Sequence, residues 1–468
     1  MGSRLDPQDW EAFRRAAHAL LDACVDRLEA AREHPWQPLP ETVRERYALD
    51  GVPLRDAGDL AALLTGDVLP YGTGNTHPRF WGWVHGTGLA EGLMTEMVAA
   101  TMNANLGGRA HGANEIERAV IDWARGIMGF PAGASGVLVA GTSQATVIAL
   151  ACARVRALGA AVRAKGQADA RLTLYAFEGV HNAATKAVEL LGIGRDALRL
   201  VAPGDTGALG ARIAADRLAG FQPFALIGTA GSVDLGRFDD LNALADIARD
   251  EGLWFHVDGA FGAWTRLAEA PWHGLSDGIG RADSIACDFH KWMFVPYDCG
   301  LVLIRHEAAH RAAFAARPAY LAGQSAGLGG GEPWFCDYGI DLSRGNRALK
   351  AWAAIRMHGA GALGAAISDC CRLAARMGQG VAAHPPMALL APVVSNLCVF
   401  TADARLPAAE QGALNAGIAQ KLQLDGVAVF STTVVGGVTC LRAAITNHRT
   451  TPDDIDVALA AVRAQVAP

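Results

Sequence analysis

Between residues 136 and 305 the chain alternates short β-type runs with helical segments. "GVLVA" precedes a helical stretch at 143–160, "LTLYAF" one at 182–192 and "FALIGTAG" one at 239–251, and "LWFHVDGAF", "SIACDF" and "GLVLIR" follow. Strands separated by whole helices pair in parallel and bury both faces of their sheet, so this stretch predicts an α/β core around a mostly parallel sheet. Upstream, residues 8–33 carry a helical period that "HPWQPLP" stops, and the Gly- and Pro-punctuated "LPYGTGNTHPRFWGWVHGTG" follows at 69–88. From about 345 the text is helical ("SRGNRALKAWAAIRMHG", then 361–378), then turns to α+β with "SNLCVFTA" and "GVAVFSTTVVGGVTCLRAAI". A last helix starts with Thr451 as N-cap and Pro452 at its first position. The expected organisation is an N-terminal helical arm over 1–80, a large domain over 81–350 and a small C-terminal α+β domain over 351–468.

Composition narrows the function classes. The 468 residues carry a formal charge of -6 and are 51% hydrophobic, which is ordinary for a soluble globular protein. There is no basic block, so nucleic acid is not an expected partner. The longest apolar runs, such as "TVIALACA", are too short to span a bilayer. The N-terminus has mixed charge instead of a signal-peptide core, and Asp6 stands where myristoylation needs Ser or Thr. Nine cysteines without CxxC spacing read as reduced thiols, with no metal site implied and a cytoplasmic location expected.

In an open parallel sheet, ligands bind beyond the carboxyl ends of the strands. The polar residues there form a short set: Thr142 and Ser143 after "GVLVAG", His181 after "LTLYAF", Ser232 after "FALIGTAG", Asp258 ending "LWFHVD", and His290-Lys291 after "SIACDF". Each has a plainer structural role. Thr142 or Ser143 can cap a helix, His181 can be a core residue, and Lys291 can pair with Asp258. Lys291 is the hardest to place, because an ammonium among Phe289, Trp292, Met293 and Phe294 needs a partner. A lysine in apolar surroundings forms a Schiff base with an aldehyde. Pyridoxal phosphate accounts for the rest of the set: a helix N-terminus for its phosphate, Asp258 for its pyridine nitrogen, His181 to stack on the ring, and small Gly259 and Ala260 to leave it room.

The segment "SIACDFHKWMFVPYDCG" resembles the cofactor-lysine segment of the group II pyridoxal-phosphate-dependent amino-acid decarboxylases, which include the aromatic-L-amino-acid, glutamate and histidine decarboxylases. The resemblance runs from "THPRFWGW" through "GVLVAGTSQATVIALACAR", "GVHNAATKA", "TAGSVDLGRFDDL" and "HVDGAFG" to "LSRGNRALKAW" and "LRAAITNHRTTPDDID". It implies the fold-type I, aspartate-aminotransferase-like architecture and an obligate homodimer. It implies that Lys291 carries pyridoxal 5'-phosphate as a Schiff base beside His290, with Thr142 and Ser143 on the phosphate. His181 then lies over the ring, Asp258 at the ring nitrogen, Ala260 beneath, and Ser232 nearby where relatives often have Thr. The implied reaction is decarboxylation of an L-amino acid to its amine, through a quinonoid.

Two positions depart from the family pattern. Asp288 stands where several relatives have Asn near the phosphate, so its side chain is expected to point away or the phosphate cup to be rearranged. Phe335, counted back from "LSRGNRALK", takes the place of a mobile-loop tyrosine that gives a proton, although Tyr338 lies three residues on. That exchange favours an aldehyde synthase as the alternative outcome. A carbon–carbon lyase of the same fold and an inactive scaffold are further alternatives. Phe80, Trp81 and Trp83 fall where relatives line the side-chain pocket and suit an aromatic substrate, or else they form core or interface. Arg344 and Arg347 are expected to be structural or interface charges. No GxGxxG follows a strand and no histidines take ligand spacing, which argues against a dehydrogenase and a metal hydrolase.

Overall fold

The computed structural model describes residues 5–49, 53–316 and 324–466, in two compact units. The larger comprises Val84–Arg372 and Val393–Leu397. Its centre is a seven-stranded sheet of β1 (Ser135–Val139), β2 (Leu172–Phe177), β3 (Leu198–Val201), β4 (Gln222–Thr229), β5 (Trp254–Asp258), β6 (Ser284–Asp288) and β7 (Gly300–Ile304). The spatial order is β1-β7-β6-β5-β4-β2-β3, and only the pairings of β7 with β1 and β6 are antiparallel. Strands β5, β6 and β7 are buried along their whole length, as the near-continuous apolar runs require of a sheet covered on both faces. The architecture is the α/β, mostly parallel arrangement that the alternating pattern predicted, of the fold-type I kind that the resemblance implied. Strand β3 was not expected: it is a four-residue edge strand with Leu200 half exposed, so no apolar run marks it.

Two helices position the site. Helix α1 (Gly112–Ile127) packs on the β1 side, burying Glu117 and Val120, and α2 (Thr142–Leu158) follows β1 directly. The carboxylate of Glu117 accepts from Leu138 N at 3.0 Å and from Arg344 Nη2 at 2.5 Å, while Arg344 also donates to the carbonyls of Leu106 and Leu138. Both ionic groups are buried and each makes several hydrogen bonds, which is what such a pair needs to survive away from water. Arg344 is therefore structural, tying α1, β1 and the 342–347 segment together. Arg347 holds Asp298 at 2.9 Å.

The second unit comprises Met1–Trp83, Leu373–Pro392 and Cys398–Pro468. Its first helix, Trp10–Glu29, is capped by Asp9, whose carboxylate accepts from Glu11 N and Ala12 N at 2.9 Å each. Residues 34–40 are irregular, as their prolines dictate. The C-terminal part holds a four-stranded sheet with a Ser431–Val435/Val438–Ala444 hairpin, turned through Gly436 and Gly437 at positive φ. The last helix, Pro452–Arg463, has the expected Thr451 cap, closed into a capping box by Asp454. Asp454 also receives Arg32 at 2.5 Å and Arg79 at 3.1 Å, which binds the N-terminal segment to the last helix.

Candidate active site

One register brings the site together. Gly300 faces Val139 at the end of β1 on one side and Asp288 at the end of β6 on the other. A Cβ on Gly300 would lie 2.5 Å from Gly141 Cα and 2.7 Å from Asp288 Oδ1, so only glycine lets the loop after β1 close onto Asp288. Helix α2 then begins at Thr142, and its N-cap Gly141 has no side chain to cap the first N–H groups. Thr142 N donates to Asp288 Oδ1 at 2.8 Å. Thr142 Oγ1 is buried with no hydrogen-bond partner among the described residues, and Ser143 is exposed beside it.

The turn after β6 carries His290 and Lys291. His290 N donates to Cys299 O at 3.1 Å, and Cys299 N donates to His290 Nδ1 at 2.9 Å. With Nδ1 accepting, the neutral ring carries its proton on Nε2, which points toward Asp288 Oδ2 at 3.7 Å. The ring rests on Tyr297, centroids 4.3 Å apart, and burial lowers its proton affinity. Phe289, Trp292, Met293 and Phe294 are fully buried, and the Lys291 side chain keeps 21% of its surface exposed. Its Nζ lies 2.8 Å from Asp288 Oδ2. The ion-pair partner of Lys291 is Asp288, three residues back at the end of β6, and not Asp258 as in the plainer reading of this lysine. Of the two expectations for Asp288, the side chain does not point away; it faces Lys291 and the start of α2, which leaves a rearranged phosphate cup. Burial alone would raise the Asp288 pKa, but Lys291, His290 and the Thr142 N–H together hold it below the usual carboxylate range. The segment around Gly86 closes over this turn: a Cβ there would meet the carbonyls of His290 and Lys291 at 2.2 and 2.6 Å.

Asp258 ends β5 and is almost fully buried, and its carboxylate accepts one 3.2 Å bond from Ala260 N. Burial raises its pKa, against the pull of His181 and Lys291. His181 is exposed and its Nδ1 accepts from Ala183 N at 3.2 Å. Ala260 O accepts from Asp288 N at 2.9 Å, tying the ends of β5 and β6. Ser232 belongs to a tight turn in which its Oγ accepts from Arg237 N at 3.1 Å, and it lines a cavity of about 230 Å³ with Thr229, Arg237 and Asp239.

The remaining pocket candidates lie in other surroundings. Trp81 is wholly buried in the smaller unit, its Nε1 donating to Thr450 Oγ1 at 3.2 Å and its ring 5.6 Å from Phe430. Phe80 is buried and bridges to Val429, while Trp83 is exposed. Phe335 sits under the guanidinium groups of Arg344 and Arg118, at 5.2 and 5.7 Å from its centroid. The Tyr338 hydroxyl donates to Glu307 Oε1 at 2.5 Å, and burial raises its pKa. Both line a cavity of about 250 Å³ with Ile121 and Glu307. Sequence reasoning missed Tyr297 and His85. Tyr297 stands six residues past Lys291 on the same turn, and its spacing could have flagged it. His85, whose proton affinity burial and Lys291 both lower, is distant in sequence and becomes visible only in the fold.

These residues fit pyridoxal phosphate. The start of α2 with the orphaned Thr142 hydroxyl suits the phosphate. Lys291 is the amine beside it, and buried Asp258 makes no salt bridge among the described residues, a partner that a pyridinium would supply. Asp288 is the one member that opposes an anion. Among the described residues no group of three or more His, Cys, Asp or Glu could hold a metal ion, and no helix is long and apolar enough to cross a membrane.

A family model, the pyridoxal-dependent decarboxylase conserved domain, matches residues 64–403. An aromatic-L-amino-acid decarboxylase of Bacillus atrophaeus is 28% identical over 459 residues, 95% of this chain and 93% of that protein. A 4-hydroxyphenylacetaldehyde synthase of Rhodiola rosea is also 28% identical, over 96% of this chain and 94% of its own. A crystal structure of Oryza sativa TDC with PLP and tryptamine superposes with a TM-score of 0.87 at 23% identity, covering 98% and 99% of the two chains.

Proposed function

The chain belongs to the pyridoxal-dependent decarboxylase family, and on that premise we propose that it converts an aromatic L-amino acid to the corresponding amine and CO2. It is a carboxy-lyase that works with pyridoxal phosphate. The aromatic preference rests on similarity to relatives named for aromatic amino acids or their aldehydes. The observation that carries the reading is the convergence of Lys291, Asp258 and the start of α2, with the unpartnered Thr142 hydroxyl, at the strand ends.

The bound cofactor supplies an electron sink for the pair released as CO2 leaves. The Lys291 amine would be the covalent anchor and would return a proton when the product departs. Asp258, shut away from water, would keep a proton on the ring nitrogen. Thr142 and Ser143 would hold the phosphate, His181 and Ala260 would line the two ring faces, and Ser232 and His290 would border the cofactor. His290, locked by Cys299 N, keeps its Nε2 toward Asp288 and the lysine.

A second reading is favoured by Phe335, which has no proton to give where the family pattern has tyrosine. Losing a general acid typically costs about 10²- to 10⁴-fold, enough for oxygen to compete and for aldehyde, ammonia and peroxide to form. With L-tryptophan, L-DOPA, L-tyrosine and L-phenylalanine in air, the cofactor-loaded protein is expected to yield amine and CO2 without peroxide. Stoichiometric peroxide and ammonia would decide for the aldehyde synthase, and no product from any of the four would remove the aromatic assignment.

The working unit is proposed to be a homodimer. Helix Glu91–Met102 exposes Met94, Met97, Val98 and Met102 along one side, an apolar face that a monomer leaves in water. Sedimentation equilibrium is expected to give twice the chain mass, and a monomer mass in the active preparation would refute the dimer.

A further inference from the structure

We infer that Asp288 occupies the cofactor's phosphate seat from within, so that its carboxylate holds the start of α2 and Lys291 until cofactor binds and opposes the incoming phosphate. The inference rests on the reading of Lys291 and α2 as the cofactor site. A phosphate at the start of a helix is held by its first N–H groups. Here the first of them, Thr142 N, is already bonded to Asp288 Oδ1 at 2.8 Å, and the other oxygen engages Lys291 Nζ at 2.8 Å with His290 Nε2 at 3.7 Å. The position is fixed by packing: Asp288 is the last residue of β6, its N–H is tied to Ala260 O at 2.9 Å, and Gly300 lies against its Oδ1. Thr142 Oγ1, buried and without a partner among the described residues, shows that the seat still lacks an acceptor or donor that the carboxylate does not supply.

Two anions cannot share this corner without cost, because like charges within about 4–6 Å disfavour each other's ionised form. On phosphate entry Asp288 either takes up a proton or gives up the Thr142 N–H, and both weaken binding. The groups that face it are Lys291 and His290 on its own turn, Cys287 on β6, Asp258 on β5, and Cys299 and Tyr297 ahead of β7. Burial holds both thiols protonated and pushes Tyr297 up to about 12, so none of the three adds an anion in the working range. Asp288, held below the usual carboxylate range, stays ionised throughout that range, so the repulsion fades as pH falls because the phosphate ester gains its second proton near pH ~6.

The test compares wild type with Asp288→Asn, using pyridoxine 5'-phosphate, which has the phosphate but no aldehyde to react with lysine, and unphosphorylated pyridoxine. Equilibrium binding followed by protein fluorescence at pH 8 is expected to be about tenfold tighter for the phosphate ester in Asp288→Asn, the size of one pKa unit of charge interaction. The gain should shrink toward pH 5.5, and pyridoxine itself should show none. Asp288→Ser, also neutral, should move in the same direction, and it carries the test should the asparagine form not fold. Equal or weaker binding of the phosphate ester by the neutral variants would overturn the inference, as would an equal gain for pyridoxine. Borohydride treatment of cofactor-loaded wild type separates the two levels. No adduct on Lys291 would sink the site assignment itself, whereas an adduct with no gain in the variants sinks the role of Asp288 alone.

Discussion

Lys291→Ala protein incubated with pyridoxal phosphate and borohydride is expected to carry no reduced cofactor on any lysine, and its turnover to fall by about 10³-fold or more. Peptide mass analysis reads the first outcome and single-turnover amine formation the second. A reducible adduct that persists in the variant would move the anchor to another lysine and end the assignment. The substitution also strands Asp288, which loses its 2.8 Å partner. In wild type the Asp288 pKa is held down, so its contribution to stability is present above the unfolded carboxylate range and lost as pH falls through the folded value. Removing Lys291 erases part of that contribution. The melting temperature of the apo variant should therefore trail that of wild type from pH 8 down to about 4, with the gap narrowing only below that, as pH falls through the lowered folded value of Asp288. A gap that does not depend on pH would mean that lost packing, and not the ion pair, explains the destabilisation.

The strand-end residues were legible because a parallel sheet has one chemical edge. Once "GVLVA", "LWFHVD" and "SIACDF" are read as parallel strands, Thr142, Asp258 and Lys291 must lie at the same end of the sheet, whatever their separation in sequence. Pairing within that edge was not legible. Whether Lys291 meets Asp258 or Asp288 depends on how the turn after β6 folds, and that turn is set by the His290–Cys299 bonds and by the close approach of Gly86. No periodicity encodes such contacts. Trp81 shows the same limit for apolar residues: a tryptophan in a glycine-rich stretch suits a pocket wall as well as a core, and its burial against Phe430 and Thr450 needs the C-terminal strands in place. Glu117 was passed over because an acid on an amphipathic helix ordinarily faces water. Its burial makes sense only with Arg344, which is 227 residues away. What the sequence carries well is the direction of strands and the chemistry at their ends, and what it carries poorly is which neighbours share a hydrogen bond.

Asp258→Asn is expected to separate function from stability. An amide cannot hold a proton on the ring nitrogen of the cofactor, so turnover should fall on the order of 10²- to 10³-fold, the usual cost of losing one preorganised electrostatic group. The folded protein without cofactor should respond in the opposite sense. Its Asp258 carboxyl is buried with a single 3.2 Å bond, and burial raises its pKa. A carboxyl with a raised folded pKa binds its proton more tightly in the native state, so ionising it costs stability as pH rises above the unfolded value. Asparagine removes that cost. The apo variant should therefore melt at or above the wild-type temperature at pH 8, and the two should converge near pH 4, where the wild-type carboxyl is protonated. Adding pyridoxal phosphate should reverse the order, because only the wild type gains a buried carboxylate–pyridinium pair. An apo variant that melts well below wild type at pH 8 would mean that Asp258 already has a cationic partner in the fold, with His181 or Lys291 in that role. The carboxylate would then be structural before it is catalytic.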